Sequence, residues 1–366
     1  MRLGIRKEPS STEARVAGTP ASVSSLIDLG FEVVVESGAG SLSSITDQDF
    51  TDAGATIVAT LADAAPIDLL LTVGSVEPDD TQVLGGTGVV MGLLDPSANA
   101  DPLASLAERG ITSIAMELVP RTTLAQSMDA LSSQATAAGY AAVLFGATRL
   151  PKFLPMLVTA AGTIPPGRIL ILGVGVAGLQ AIATSRRLGA IVNAYDIRPE
   201  TREQVESLGA KFVDAPTQEM DEGGYARAVD EETAAAQREI LASAVAESDL
   251  VITTAQVPGR QAPRLVERAV VERMKQGSVI IDMAAASGGN VEGSEPDTEV
   301  DINGVRVFGP TDLPSRVAAD ASRMYARNLL EMAQRMVVDG VLTIDPEDPV
   351  VGPAIAARPD SRGASE

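Results

Sequence analysis

The chain has no cysteine and no histidine. Without thiols there is no disulfide, no thiolate nucleophile and no cysteine-ligated zinc, and no metal site is expected. Without imidazole, the commonest side chain for moving protons near neutral pH is missing. Tryptophan is also absent and aromatics reach only 3%. The cores must therefore be packed with Val, Ile, Leu and Ala, for which a hydrophobic content of 45% is ample. Positive charge is scarce, with 28 Lys and Arg against 49 Asp and Glu, a net charge of −21. Such a surface argues against nucleic acid or an anionic membrane as a direct partner. No apolar run is long enough to span a bilayer and no signal peptide is visible, so the chain is expected to be soluble and cytoplasmic. Its 366 residues suggest about two domains.

What is present centres on residues 168–196, RILILGVGVAGLQAIATSRRLGAIVNAYD. Ile169–Leu172 reads as a buried parallel strand. Gly173, Gly175 and Gly178 fit G-x-G-x-x-G, and Val176 opens a helix that Gly189 ends. A second strand, Ile191–Tyr195, runs into Asp196. In this context the glycines provide a tight turn, backbone approach to a pyrophosphate and close helix–strand packing. The helix N-terminus offers unpaired N–H groups to phosphates. Asp196, followed by Ile197 and Arg198, stands where a carboxylate accepts hydrogen bonds from the adenosine ribose. An anion there repels a 2′-phosphate and favours NAD(H), although Arg198 is a cation that can pair with one.

Elsewhere strands alternate with helices. Met1–Arg6, Phe31–Val35, Thr56–Val58, Ile67–Val73, Gly88–Met91 and Ile111–Met116 read as strands. Thr19 followed by Pro20 caps a helix that Gly30 stops. The alternation implies an α/β chain: two doubly wound Rossmann-like domains with parallel sheets and a cleft between them. Leu150–Pro166 reads as a proline-rich linker, and 343–366 as a mobile tail. After Lys211–Val213, a long acidic loop (214–230) carries Gly224 and Tyr225, and the helix Glu231–Glu247 carries Gln237. Strands at Leu250–Thr253, Val279–Asp282 and Val305–Phe308 place Thr253–Gln256 and Ala284–Asn290 at the carboxyl edge of the sheet. Between Glu117 and Tyr140 a polar loop enters a long helix of small residues. Gln126 and Asp129 are three apart, so both can share a helix face. Residues alone leave this open between a functional cluster and an ordinary solvated helix start.

The opening, GIRKE…EARVAGTPASV…LIDLGFEVVVESGAG, resembles the N-terminal signature shared by alanine dehydrogenase and the proton-translocating nicotinamide nucleotide transhydrogenase. PRTTLAQSMDALSSQATAAGY, the NAD(H) site, GGYAR, SGGN and DLPSRVAADAS are similar to the transhydrogenase. The alanine dehydrogenase lysine region reads VGSVEP here, its histidine has no counterpart, and its late acid is replaced by Ala286. Gln256 stands where the family pattern suggests an apolar residue. The resemblance implies the peripheral NAD(H)-binding component, an oxidoreductase that serves a translocase. It divides the chain into 1–131 plus 314–345, a NAD(H)-binding domain at 132–313, and a tail at 346–366. It implies direct hydride transfer from NADH to NADP⁺, with NADP(H) on a partner subunit and protons moved by a membrane-spanning subunit. It implies a homodimer, held at the cytoplasmic face of the membrane through those partners. Arg121, Gln126, Asp129, Ser132 and Tyr225 carry catalysis in this reading. Ser127, Met128, Val176, Ile197, Arg198, Gly224, Gln237 and Gln256 join Gln126, Asp129, Ser132, the glycines and Asp196 in holding NAD(H). The alternatives are an alanine-dehydrogenase-like amino-acid oxidoreductase and a non-enzymatic NAD(H)-sensing module.

Overall fold

A computed structural model describes residues 1–76, 78–215, 231–256 and 260–359. The chain divides into two units, one made of Met1–Gln134 with Pro314–Glu366, the other of Ala135–Leu313.

The first unit is built on a seven-stranded sheet. From one edge to the other its strands are Ile355–Ala357, Thr112–Ala115, Leu84–Gly92, Ile67–Leu71, Arg2–Ile5, Glu32–Glu36 and Thr56–Val58. All neighbours pair in parallel except Ile355–Ala357. The runs VVV and LLL are buried throughout, as expected of a parallel sheet covered on both faces. Helix Pro20–Asp28 begins with a reciprocal Thr19–Ser22 capping box, and Gly30 leaves it at φ +92°, a left-handed turn that glycine takes without strain. Helix Ala318–Met336 lays Tyr325, Leu329, Met332, Ala333 and Met336 into the core beside Leu3, Ile5, Val33 and Leu69.

Two sequence expectations are corrected here. The stretch from 346 to 357 is not a mobile tail. Val350, Val351 and Ala354 are buried, and Ile355 pairs with Ile114 across an antiparallel edge. A three-residue strand and a four-residue helix are too short to show a period. Leu150–Pro166 does not separate the units, whose division falls inside helix Ala130–Ala147. It is a loop followed by an antiparallel hairpin, Leu157–Thr159 with Gly162–Ile164.

The second unit repeats the scheme. Its strands run in the order Lys211–Phe212, Ile191–Tyr195, Arg168–Leu172, Leu250–Thr253, Val279–Asp282, Val305–Phe308 and Glu299–Ile302. Only Glu299–Ile302 is antiparallel. The chain starts in the middle of the sheet, at Arg168–Leu172, and builds outward first one way and then the other. The strand order therefore reverses beside Arg168–Leu172, and a crevice opens at such a point at the carboxyl ends of the strands. Among the described residues no helix is long and apolar enough to cross a membrane.

Candidate functional site

The three glycines after Arg168–Leu172 each meet a different steric demand. Gly173 sits at φ +99°, and a Cβ there would meet Thr254 Oγ1 at 2.5 Å. Gly178 lies so close to the turn that a Cβ would come within 2.0 Å of the Gly173 carbonyl. Gly175 is the opposite case: a Cβ would meet nothing within 4 Å. It is the N-cap of helix Val176–Arg187 and has no side chain with which to cap it. The helix start is thus open, exposed at Gly175 and Val176, and suited to an anionic diphosphate approaching the backbone.

Asp196 ends the adjacent strand and is 6% exposed. Its Oδ2 accepts from the Val174 N–H at 2.7 Å and from Arg198 Nη2 at 3.1 Å. Its Oδ1 accepts from the Arg198 N–H at 2.9 Å and Nε at 3.0 Å. Burial pushes the carboxyl up, but the Arg198 and Val174 donors outweigh it and hold the acid below its ordinary range. Ile197, between them, is exposed.

The neighbouring strand ends are pinned from within. Thr254 donates to the Gly173 carbonyl at 3.0 Å. Buried Asn290 donates to the carbonyls of Ala255 and Pro263, both at 2.8 Å, and accepts from the Ala255 N–H at 3.1 Å. Buried Asp282 accepts from Thr253 Oγ1 and from the N–H groups of Ala284 and Val291, all at 3.0 Å. Gln256 is exposed and its amide donates to the Met283 carbonyl at 2.7 Å. Its departure from the apolar pattern thus has a local use, as a tie between two crevice loops. Gln237 donates to the Tyr195 hydroxyl. Gly224 and Tyr225 lie outside the described residues.

In the first unit, Arg121, Gln126 and Asp129 come together around one open pocket of about 270 Å³, with Pro120, Thr122 and Thr123. Asp129 precedes helix Ala130–Ala147 and caps it: Oδ1 accepts from the Ser132 N–H at 2.9 Å, and Oδ2 from Ser132 Oγ at 2.6 Å. The helix-start reading of Asp129 is therefore correct, and it coexists with a place on the pocket wall. The Met128 side chain is buried in the core beside Ala125, so the expected contact of Met128 with a cofactor is corrected to a backbone one at most. The apolar side chain gains more from the core than from a polar pocket. Ser127 donates to Glu331 Oε2 at 3.3 Å, and its carbonyl accepts from Asn328 Nδ2 at 2.7 Å. Sequence reasoning missed Asn328. Its signal was an asparagine inside a helix, where its propensity is poor.

The carboxyl edge of this unit's sheet is filled by the chain itself. Buried Arg6 pairs with Glu8 at 3.0 Å and donates to the Ser75 carbonyl. Glu8 in turn accepts from the N–H groups of Val73 and Gly74. Arg15 grips Glu13 with two nitrogens, at 2.8 and 2.6 Å, and donates to Gln134 at 2.9 Å. Burial pushes Glu13 up, but Arg15 and Ser315 outweigh it and hold it below the ordinary range.

Two family models match the chain: "Alanine dehydrogenase/PNT, N-terminal domain" over residues 4–138 and "Alanine dehydrogenase/PNT, C-terminal domain" over 142–360. The first portion of the NAD(P) transhydrogenase alpha subunit of Rhodospirillum rubrum, a separate chain there, is 47% identical over 340 residues, covering 90% of this chain and 88% of that one. The crystal structure of transhydrogenase from Sinorhizobium meliloti superposes with a TM-score of 0.90 at 44% identity, covering 98% of this chain and 99% of that one. Alanine dehydrogenase of Mycobacterium tuberculosis is 34% identical, covering 81% of this chain and 76% of that one.

Proposed function

The chain belongs to the alanine dehydrogenase/PNT family, and from that premise we propose that it is the NAD(H)-binding component of a proton-translocating transhydrogenase. The observation that carries this reading is an open, uncapped glycine turn beside Asp196, in a chain with no histidine or cysteine. When bound, NADH supplies a hydride from C4 of its ring to NADP⁺ held by a partner subunit. Hydride transfer between two nicotinamides moves no proton, so neither a general acid nor a base is needed. Catalysis then reduces to positioning and the exclusion of water.

In this reading the start of helix Val176–Arg187 receives the pyrophosphate and Asp196 the adenosine ribose. Gln126 orients the nicotinamide carboxamide. Asp129, held by Ser132, fixes the ring face and its ribose, and Arg121 offers positive charge to the phosphate or nicotinamide-ribose side. Tyr225 and Gly224 belong to a loop that closes over the nucleotide, and Gln237 to the helix behind it. The chain works as a homodimer at the cytoplasmic face of the membrane, through a membrane-spanning subunit and an NADP(H)-binding subunit. Proton movement is coupled there by conformational change.

Amino-acid oxidation is the second reading, favoured by the likeness to alanine dehydrogenase. It requires proton removal as well as hydride transfer. Against it, the backbone of Val73 and Gly74 is tied to Glu8, no lysine stands between Val73 and Pro78, and Arg15 is paired with Glu13. The deciding experiment incubates the purified chain with NAD⁺ and L-alanine, and separately with NADH, NADP⁺ and an NADP(H)-binding partner. Exchange only in the second mixture supports the proposal. Steady NADH production in the first overturns it, and exchange in neither, with NADH still bound, leaves an NAD(H)-sensing module.

A further inference from the structure

Asp196 has two oxygens and four protein donors on them, and three of the four belong to Arg198. The arginine side chain is 47% exposed while its partner is almost fully buried. Arg198 is thus a cation at the end of the second strand of a Rossmann unit, where the 2′ position of an adenosine ribose lies. A guanidinium fork is also the side chain best matched to a phosphate. The next cation along, Arg202, is engaged by Asp214 and Glu206.

We infer that Arg198 is a latent 2′-phosphate site that Asp196 silences. The inference rests on the cofactor site proposed above and concerns how that site chooses between NAD(H) and NADP(H). With the pair closed, a 2′-phosphate meets no available positive charge. To capture Arg198 it must break two charge-assisted hydrogen bonds and leave a buried carboxylate beside a dianion. Such a carboxylate is costly to leave without its donors. A ribose carrying only hydroxyls asks less: it donates to the Asp196 oxygens while the Arg198 side chain, already half in solvent, turns outward. Discrimination in a transhydrogenase then does not rest on one repulsive acid. It also rests on that acid holding back the residue that would otherwise bind the wrong nucleotide.

The experiment titrates NADH and NADPH into the full chain, reading the nucleotides' own fluorescence, for wild type, Asp196→Ala, Asp196→Asn, Arg198→Ala and Asp196→Ala/Arg198→Ala. Asp196→Asn keeps the shape and an acceptor for the Val174 N–H, so it guards against misfolding of the alanine variant. Removing the carboxylate is expected to tighten NADPH binding at least about tenfold, the scale of one or two charge-assisted hydrogen bonds. Arg198→Ala alone leaves NADH binding within about threefold, because that side chain is not the ribose acceptor. The double variant loses the NADPH gain. A gain that survives without Arg198 overturns the inference, as does a wild type that binds NADH while neither Asp196 variant gains NADPH. A wild type that ignores NADH overturns the cofactor site itself.

Discussion

The Asn328 carboxamide donates to the Ser127 carbonyl at 2.7 Å and accepts from Ser133 Oγ at 2.6 Å. One buried amide on helix Ala318–Met336 thereby holds both the turn that ends in Met128 and the first turn of the helix after Asp129. Asn328→Ala leaves the Ser127 carbonyl and the Ser133 hydroxyl without this partner. The expected stability loss is about 1–3 kcal/mol, measured as a shift in the urea midpoint at constant slope. If the loop serves hydride transfer, the rate with a partner falls further than NADH affinity does.

Gly175→Ala separates folding from binding. The residue has an ordinary backbone conformation at φ −82°, and a Cβ would meet nothing in the free chain. Thermal stability should stay within about 0.5 kcal/mol of wild type, since glycine and alanine differ little at a site that tolerates both. NADH affinity should drop at least about tenfold, because the methyl occupies the space reserved for pyrophosphate. Unchanged affinity in a titration would show that no phosphate approaches this backbone.

Asp129 has two roles that substitution can pull apart. Asp129→Ala removes the helix cap and should cost about 1 kcal/mol. Asp129→Ser retains a good cap and should restore most of that stability. Hydride exchange is expected to stay low in both if the carboxylate itself orients the cofactor. Recovery of exchange in the serine variant would reduce Asp129 to a cap.

Asp348 gives the fold an acid-sensitive latch. Arg335 donates to its Oδ1 at 2.8 Å, and the N–H groups of Val350 and Val351 do the same. The Arg335 hydrogen bond, with help from those amides, brings its carboxyl from the ordinary 3.8 to about 2. A lowered acid stabilises the fold above its ordinary pKa, and that contribution disappears as pH falls through the lowered value. Wild type should therefore exceed Asp348→Asn in stability at pH 5, and the gap should close between about pH 4 and pH 2. A gap independent of pH would assign the effect to packing alone.

Much of the second unit was legible in the residues themselves. Strands such as Ile191–Tyr195 and Val279–Asp282 are short apolar runs bounded by glycine or acid, and both appear where expected. The C-terminal edge strand was not legible, because Ile355–Ala357 has no period and gains its order only by pairing with Thr112–Ala115. The same holds for Glu299–Ile302, half exposed and acidic, which is a strand because Val305–Phe308 lies beside it. In the candidate site, Gly173, Gly175, Gly178 and Asp196 could be read from spacing. The engagement of Asp196 by Arg198, the burial of Met128 and the clamp of Asn328 could not.

By itself the sequence determined the local chemistry: which turn admits only glycine, which helix starts on a threonine or an aspartate, and that no imidazole or thiol is available. Those features depend on a few neighbouring residues and on the stereochemistry of the backbone. Tertiary structure decided which polar groups would spend themselves on each other. The partners of Arg6, Arg15, Asn290 and Asn328 include groups many residues away in the chain, and only burial makes such pairing necessary, because a polar group removed from water must find its partner inside the protein.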